Sequence, residues 1–85
     1  FTLTQNYPNP FNPSTKIQFS VPSQSMVNLS VYNILGQKVA TLVNDVKSAG
    51  NYEVNFNASR LSSGVYIYRF EAQNNIITKK MTLLK

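Results

Sequence analysis

Apolar and polar side chains alternate along most of this chain, and the alternation falls into separate short runs. Ile17, Phe19 and Val21 share one face of a segment whose other face is Lys16, Gln18 and Ser20. Period-two spacing of this kind marks a strand buried on one side. Pro22 to Ser25 reads as a turn. Val27, Leu29 and Val31 then alternate with Asn28, Ser30 and Tyr32 in a second strand. Asn33-Ile34-Leu35-Gly36 predicts a hairpin turn, with Gly36 supplying the positive φ that other residues resist. Gln37 to Val43 reads as a third strand. Its facing stays open, because Val39, Ala40, Leu42 and Val43 do not alternate. Asn44 to Gly50 is expected to be a loop. Tyr52, Val54 and Phe56 alternate with Glu53, Asn55 and Asn57 in a fourth strand. Val65 to Ala72, apolar on one face and mixed on the other, suits a central fifth strand. Asn74-Asn75 predicts a two-residue hairpin loop. Ile76 to Leu84 is the last strand, again with its facing open. No segment supports a helix of about ten residues, and no capping box precedes an apolar run.

Six or seven short strands at roughly ten-residue spacing predict an all-β sandwich or small barrel. One stretch favours an immunoglobulin-like antiparallel sandwich of about seven strands. Leu61-Ser62-Ser63-Gly64-Val65-Tyr66-Ile67-Tyr68 runs Leu, turn, Gly-x-Tyr-x-core. Immunoglobulin domains place a Tyr two residues before their second core Cys, where its hydroxyl bonds upstream backbone in a tyrosine corner. Tyr66 fits that place, and Tyr68 stands where the Cys would be. The same residues also describe a plain aromatic-rich strand.

Ahead of the first alternating run, Asn6 to Thr15 reads Asn-Tyr-Pro-Asn-Pro-Phe-Asn-Pro-Ser-Thr. Prolines at this density forbid a helix and a central strand. A flexible linker would need neither Tyr7 nor Phe11. Residues 1–15 therefore read as a stiff, ordered arm pinned by these two aromatics to a sandwich formed by residues 16–85.

Composition agrees with strand. Eight Val, five Ile, six Thr, five Tyr and five Phe stand against four Ala, and eleven Asn with nine Ser suit turns. At 85 residues the chain makes one domain. Apolar residues are 42% of it, while charged residues are 13%, too few for the highly charged kind of disorder. No apolar run approaches the roughly 18 residues of a membrane helix. The chain opens at Phe1 without Met and is expected to be a piece of something longer.

The chain has no His and no Cys. The commonest general base, the thiolate nucleophile and the usual zinc ligands are therefore missing. Only Asp45, Glu53 and Glu71 remain, far apart in sequence and in no D-x-D calcium loop. No catalytic, cofactor or metal site is expected. The formal net charge is +5. Lys79, Lys80 and Lys85 cluster near the end, but no nucleic-acid motif accompanies them, so a solvated basic face is expected and no nucleic-acid partner. Two glycosylation sequons, at Asn28 and Asn57, are close to chance in a chain this rich in Asn and Ser. Gly36, Gly50 and Gly64 are isolated turn residues, not a phosphate loop.

The opening Gln5-Asn6-Tyr7-Pro8-Asn9-Pro10-Phe11-Asn12-Pro13-Ser14-Thr15 resembles the signature of the type A C-terminal sorting domains of the type IX (Por) secretion system. The later family features also stand in order. They are the V-Y-N-x-L-G-Q hairpin at Val31 to Gln37, Ala49-Gly50, the S-G-x-Y strand at Ser63 to Tyr66, and a Lys-rich ending at Lys79 to Lys85. The second half is also similar to the immunoglobulin-like domain of flagellar hook-capping proteins. The resemblance implies a non-catalytic address label attached to an upstream cargo in the same chain. An outer-membrane translocon of a Bacteroidetes-type bacterium would read it. A sortase-like peptidase would in many cases remove it and anchor the cargo at the cell surface. The recognition residues expected are Lys79, Lys80, Leu83, Leu84 and Lys85, on a final strand whose apolar members dock it while the lysines stay in water. Asn9, Pro10, Phe11, Asn12 and Tyr66 are expected to be structural, and the domain to be monomeric. Two other readings remain open: a carbohydrate-binding or adhesive module, with Tyr32 and Tyr52 as candidate platforms, and a structural module of a flagellar or surface assembly.

Overall fold

The alternating runs form seven strands in the computed structural model, which describes residues 1–85. They are β1 (Thr2–Leu3), β2 (Ser14–Val21), β3 (Ser25–Tyr32), β4 (Lys38–Lys47), β5 (Gly50–Asn57), β6 (Gly64–Ala72) and β7 (Asn75–Leu83). One sheet has the order β1-β2-β5 and the other β4-β3-β6-β7, all pairs antiparallel. In chain order these take the places of strands A, B, E and C′, C, F, G of the immunoglobulin plan. The molecule is an immunoglobulin-like β-sandwich without a helix.

The apolar rows read from the sequence meet between the sheets. Ile17, Phe19 and Phe56 come from one side, and Val27, Leu29, Val31, Tyr68, Phe70, Met81 and Leu83 from the other, all buried. Phe19 and Phe70 touch across the interface with ring centroids 5.3 Å apart. Each such side chain contributes about 1.5–3 kcal/mol relative to exposure. With no disulfide available, this core holds the fold.

The third strand is longer than its sequence suggested. Residues 44–47 were expected in a loop, yet β4 continues through Lys47 and only Ser48 and Ala49 separate it from β5. The reason is position. β4 is an edge strand whose far half is largely exposed on both faces, so Asn44, Asp45 and Lys47 need no apolar alternation. Its irregular pattern also has a cause. The pairing with β3 slips at Leu42 and again at Val39, each an extra residue opposite an unbroken partner strand. The last hairpin loop is Gln73-Asn74, one residue earlier than expected, with Gln73 at φ +53°. That register sets Leu83 opposite Gly64, where no side chain crowds it.

Tyr66 closes the corner before β6. Its ring is buried, and its hydroxyl donates to the Ser62 carbonyl at 2.7 Å, fixing the crossing from one sheet to the other. Tyr66→Ala is expected to cost about 3–5 kcal/mol in a denaturant melt, and Tyr66→Phe about 1 kcal/mol. A neutral Tyr66→Ala would mean that the corner carries no stability.

Candidate recognition strand and the arm that covers it

The first 13 residues run along one side of the sandwich and belong to both sheets in turn. The arm first extends the smaller sheet. Thr4 N–H donates to the Gln18 carbonyl, and Tyr7 and Lys16 exchange both backbone bonds, each at 2.9 Å. It then crosses. Phe11 forms a parallel bridge with Leu83, donating its N–H to the Thr82 carbonyl and accepting the Leu84 N–H, both at 3.0 Å. Asn9 Oδ1 accepts the Thr82 N–H at 3.0 Å, and Gln5 Nε2 donates to the Lys80 carbonyl at 2.6 Å. The X-Pro bonds at Pro8, Pro10 and Pro13 are all cis.

Two devices hold the arm. Phe11 is buried, with its ring 6.2 Å from that of Phe56 across the sandwich. The second is a polar knot around Tyr68, which sequence reasoning had noted only as the residue in the Cys place. The Tyr68 ring lies wholly in the core, while its hydroxyl donates to the Thr4 carbonyl at 2.7 Å and accepts the Asn6 N–H at 2.9 Å. Asn6 is itself buried. Its Nδ2 donates to Thr15 Oγ1 and to the Pro8 carbonyl, and the Thr15 hydroxyl donates to that same carbonyl. No buried polar side-chain atom lacks a partner, so the knot avoids the desolvation cost of unpaired groups. Burial pushes the Tyr68 hydroxyl up to about 12, against a smaller opposing effect of the Asn6 N–H. The aromatic pinning expected of Tyr7 is not found: the ring is 79% exposed. Only its backbone is bound, because the neighbouring Asn6 side chain points inward instead.

The five recognition candidates scatter over the end of the molecule. Leu83 is fully buried between Gly64 and Phe11. Leu84 was expected to help dock the strand, but it is 56% exposed, since it lies past the last β6 pairing and alternates outward. Lys79 was expected in the open and is half-buried, because it falls in the inward row between Ile77 and Met81, opposite Tyr68. Lys80 is exposed on the outer face opposite Ile67. Lys85 lies apart from both, its Nζ donating to the Ser59 carbonyl at 2.7 Å and its N–H to Ser63 Oγ. The three lysines therefore form no single patch.

The remaining chemistry is spread out. Glu53 faces outward on the smaller sheet beside Lys16, at 3.8 Å, and Glu71 faces outward on the larger sheet, paired with Arg69. The two carboxylates lie on opposite outer faces of the sandwich and cannot work as a pair. Tyr52 packs flat on Phe19, at 5.3 Å and 21° between planes, under Lys47, and Tyr32 lies beneath Arg69. Tyr52 therefore offers no free flat face for a sugar, and Arg69 covers one face of Tyr32.

The family model of secretion-system C-terminal sorting domains matches residues 5–83. The chain belongs to that family. The match takes in the Asn/Pro arm, both sheets and β7 as far as Leu83, which is the stretch in which arm and last strand lock together. Comparison with curated proteins and with solved structures finds no match. As a sorting domain of type IX secretion, it serves an attached protein destined for secretion or the cell surface.

Two outcomes follow for the arm. Phe11→Ala is expected to lose about 3–5 kcal/mol in a denaturant melt, and the Thr82 and Leu84 amides to exchange faster with solvent; unchanged protection there would mean that the arm does not cover β7. Tyr68 gives a pH signature. Its folded-state value lies above the ordinary 10.0, so the stability it brings is complete below pH 10 and is lost as pH rises towards about 12. Melts of the natural sequence should weaken across that window, and Tyr68→Phe should flatten the decline. Equal slopes in the two proteins would place the hydroxyl in solvent.

Proposed function

We propose that this sorting domain is a non-catalytic label, read in its folded form by the outer-membrane translocon of a Bacteroidetes-type Gram-negative cell. The label directs an upstream cargo from the periplasm to the surface or the medium. A sortase-like peptidase then removes the domain and joins the cargo to an anionic surface lipid. The observation that carries this reading is the family match over residues 5–83. Physical chemistry supports it. A label must keep one shape in transit, and here a satisfied core and an arm stitched to both sheets hold the last strand in place. The recognition residues in this reading are those of the last strand and its end: Lys79, Lys80, Leu83, Leu84 and Lys85. Leu83 would act by holding the strand, while Lys80, Leu84 and Lys85 are exposed to a receptor.

A reporter fused behind a signal peptide and ahead of this domain tests the proposal in a type IX-competent strain. The fusion should reach the medium or the surface, and the same reporter without the domain should stay in the periplasm. Changing Lys79, Lys80 and Lys85 together to Gln should change the melt little, because none of the three is in an ion pair and the one side-chain bond lost, Lys85 Nζ to the Ser59 carbonyl, is exposed. Export of that fusion should fall at least several-fold. Export at the unmodified rate would remove the lysines from the signal.

A further inference from the structure

The arm covers only part of the β7 edge. Phe11 and Asn9 take both outward backbone groups of Thr82, and Phe11 takes the N–H of Leu84. In an antiparallel ladder, outward groups recur every second residue. The earlier ones on this strand belong to Lys80, Thr78 and Ile76. The Lys80 carbonyl is met by Gln5, and there the cover ends. The N–H and carbonyl of Thr78 and of Ile76, and the N–H of Lys80, bond nothing within the protein. An edge left in this state is a template for another strand.

The side chains around this gap are apolar or cationic, with Thr78 between them. Ile76 is 62% exposed on the outer face, and Ile77 is half-buried on the inner face beside Phe70, as is Phe1, whose ring lies 6.3 Å from that of Phe70. Lys79 and Lys80 have no ion-pair partner, no acidic residue occurs from Ala72 to Lys85, and Glu71, opposite Ile76, is held by Arg69. The other long edges differ. β4 is interrupted by slips at Val39 and Leu42, and in the unbroken half beyond them the Val46 N–H is already taken by Asp45 Oδ1. The outward groups of β5 belong to Asn51, Glu53, Asn55 and Asn57, all with exposed polar side chains, and Glu53 already faces Lys16.

From this arrangement we propose that Ile76 to Lys80 is a strand-addition site for an extended segment of a partner protein that carries apolar and acidic residues. The segment continues the larger sheet beyond β7, pairs its backbone with Ile76, Thr78 and Lys80, covers Ile76 and Ile77, and sets its carboxylates against Lys79 and Lys80. Phe11 already shows that this edge accepts added backbone. The proposal rests on the sorting reading and adds a backbone grip on the first half of β7, ahead of the end that the arm covers and that Leu84 and Lys85 present.

Thr78→Pro tests it. The substitution removes an outward N–H that no strand of this protein uses, a place where an edge strand tolerates proline. Glu53→Pro makes the same change on the β5 edge and serves as the control. In the reporter fusion, Thr78→Pro should cut export at least tenfold with a melt within a few degrees of the unmodified domain, and Glu53→Pro should export normally. Normal export of Thr78→Pro, or equal losses in both variants, overturns the proposal. If Thr78→Pro does not fold, Lys80→Glu replaces it, being exposed and opposite the apolar Ile67; a tenfold loss with an unchanged melt supports the site and normal export overturns it. An unmodified fusion that stays in the periplasm overturns the sorting reading itself, and the strand docking with it. Sedimentation of the purified domain covers one more occupant. A dimer that Thr78→Pro makes monomeric, with export unaffected, assigns the edge to a second copy of this chain and overturns the proposal.

Discussion

Phe11 is where the two sheets are joined on the side that the strands alone leave open. The smaller sheet needs a partner for β2, and the larger sheet ends in β7. A single segment serves both by pairing first with Lys16 and Gln18 and then with Thr82 and Leu84. The crossing is possible because the Phe11 ring fills the space between the sheets while its backbone behaves as a short parallel strand. Order in the arm and order in the last strand are thus one property. Whatever loosens Phe11 also releases the Leu83 end of β7 from its outer partner, without touching a residue of β7 itself.

The Tyr68 knot plays the complementary part at the other end of the arm. A Cys in this place would pack but could not reach the arm. The longer side chain buries its ring and extends a hydroxyl to Thr4 and Asn6, so that the inner core and the outermost strand are coupled by hydrogen bonds. Such bonds contribute modestly when made and cost more when one partner is left buried alone. That asymmetry makes the knot a device for specificity. An arm displaced by one residue would strand Asn6, Thr15 and Tyr68 together.

The fold was largely legible, because period-two burial is a local signal: Ile17, Phe19 and Val21, and again Val27, Leu29 and Val31, declare their face without reference to the rest of the chain. The edge strand was less so. Val39 and Leu42 sit at slips that only pairing with β3 defines, and Asn44 to Lys47 carry no burial signal because little covers them. β1 went unread because two residues have no period. The site was legible as a region and not in its parts. Lysines close in sequence suggested one basic feature, but alternation sends Lys79 inward and Lys80 outward, and the turn past β7 ties Lys85 to Ser59. Gln5, Asn6 and Thr15 gave no sign of their role, since each is an ordinary polar residue until the chain returns Tyr68 and Lys80 to it.

A label also has to avoid being read by the wrong molecule. An exposed strand edge pairs with whatever presents a free backbone, and natural sandwiches shield such edges with bulges, charges or cover. This chain uses each of these in a different place. The β4 edge is interrupted by its two slips, the β5 edge is lined with Asn and Glu, and the end of β7 is covered by the arm. The open stretch that carries exposed apolar side chains and no acid of its own is the first half of β7, where protection rests on Lys79 and Lys80. Two cations, one on each face of the strand, repel another copy of the same edge, which brings the same charges, but attract a segment that carries acids. In the proposed docking, the same two side chains would serve both to keep copies of this edge apart and to select the partner segment. Their Coulombic part is screened at high salt, so discrimination between the two kinds of partner is strongest where ionic strength is low.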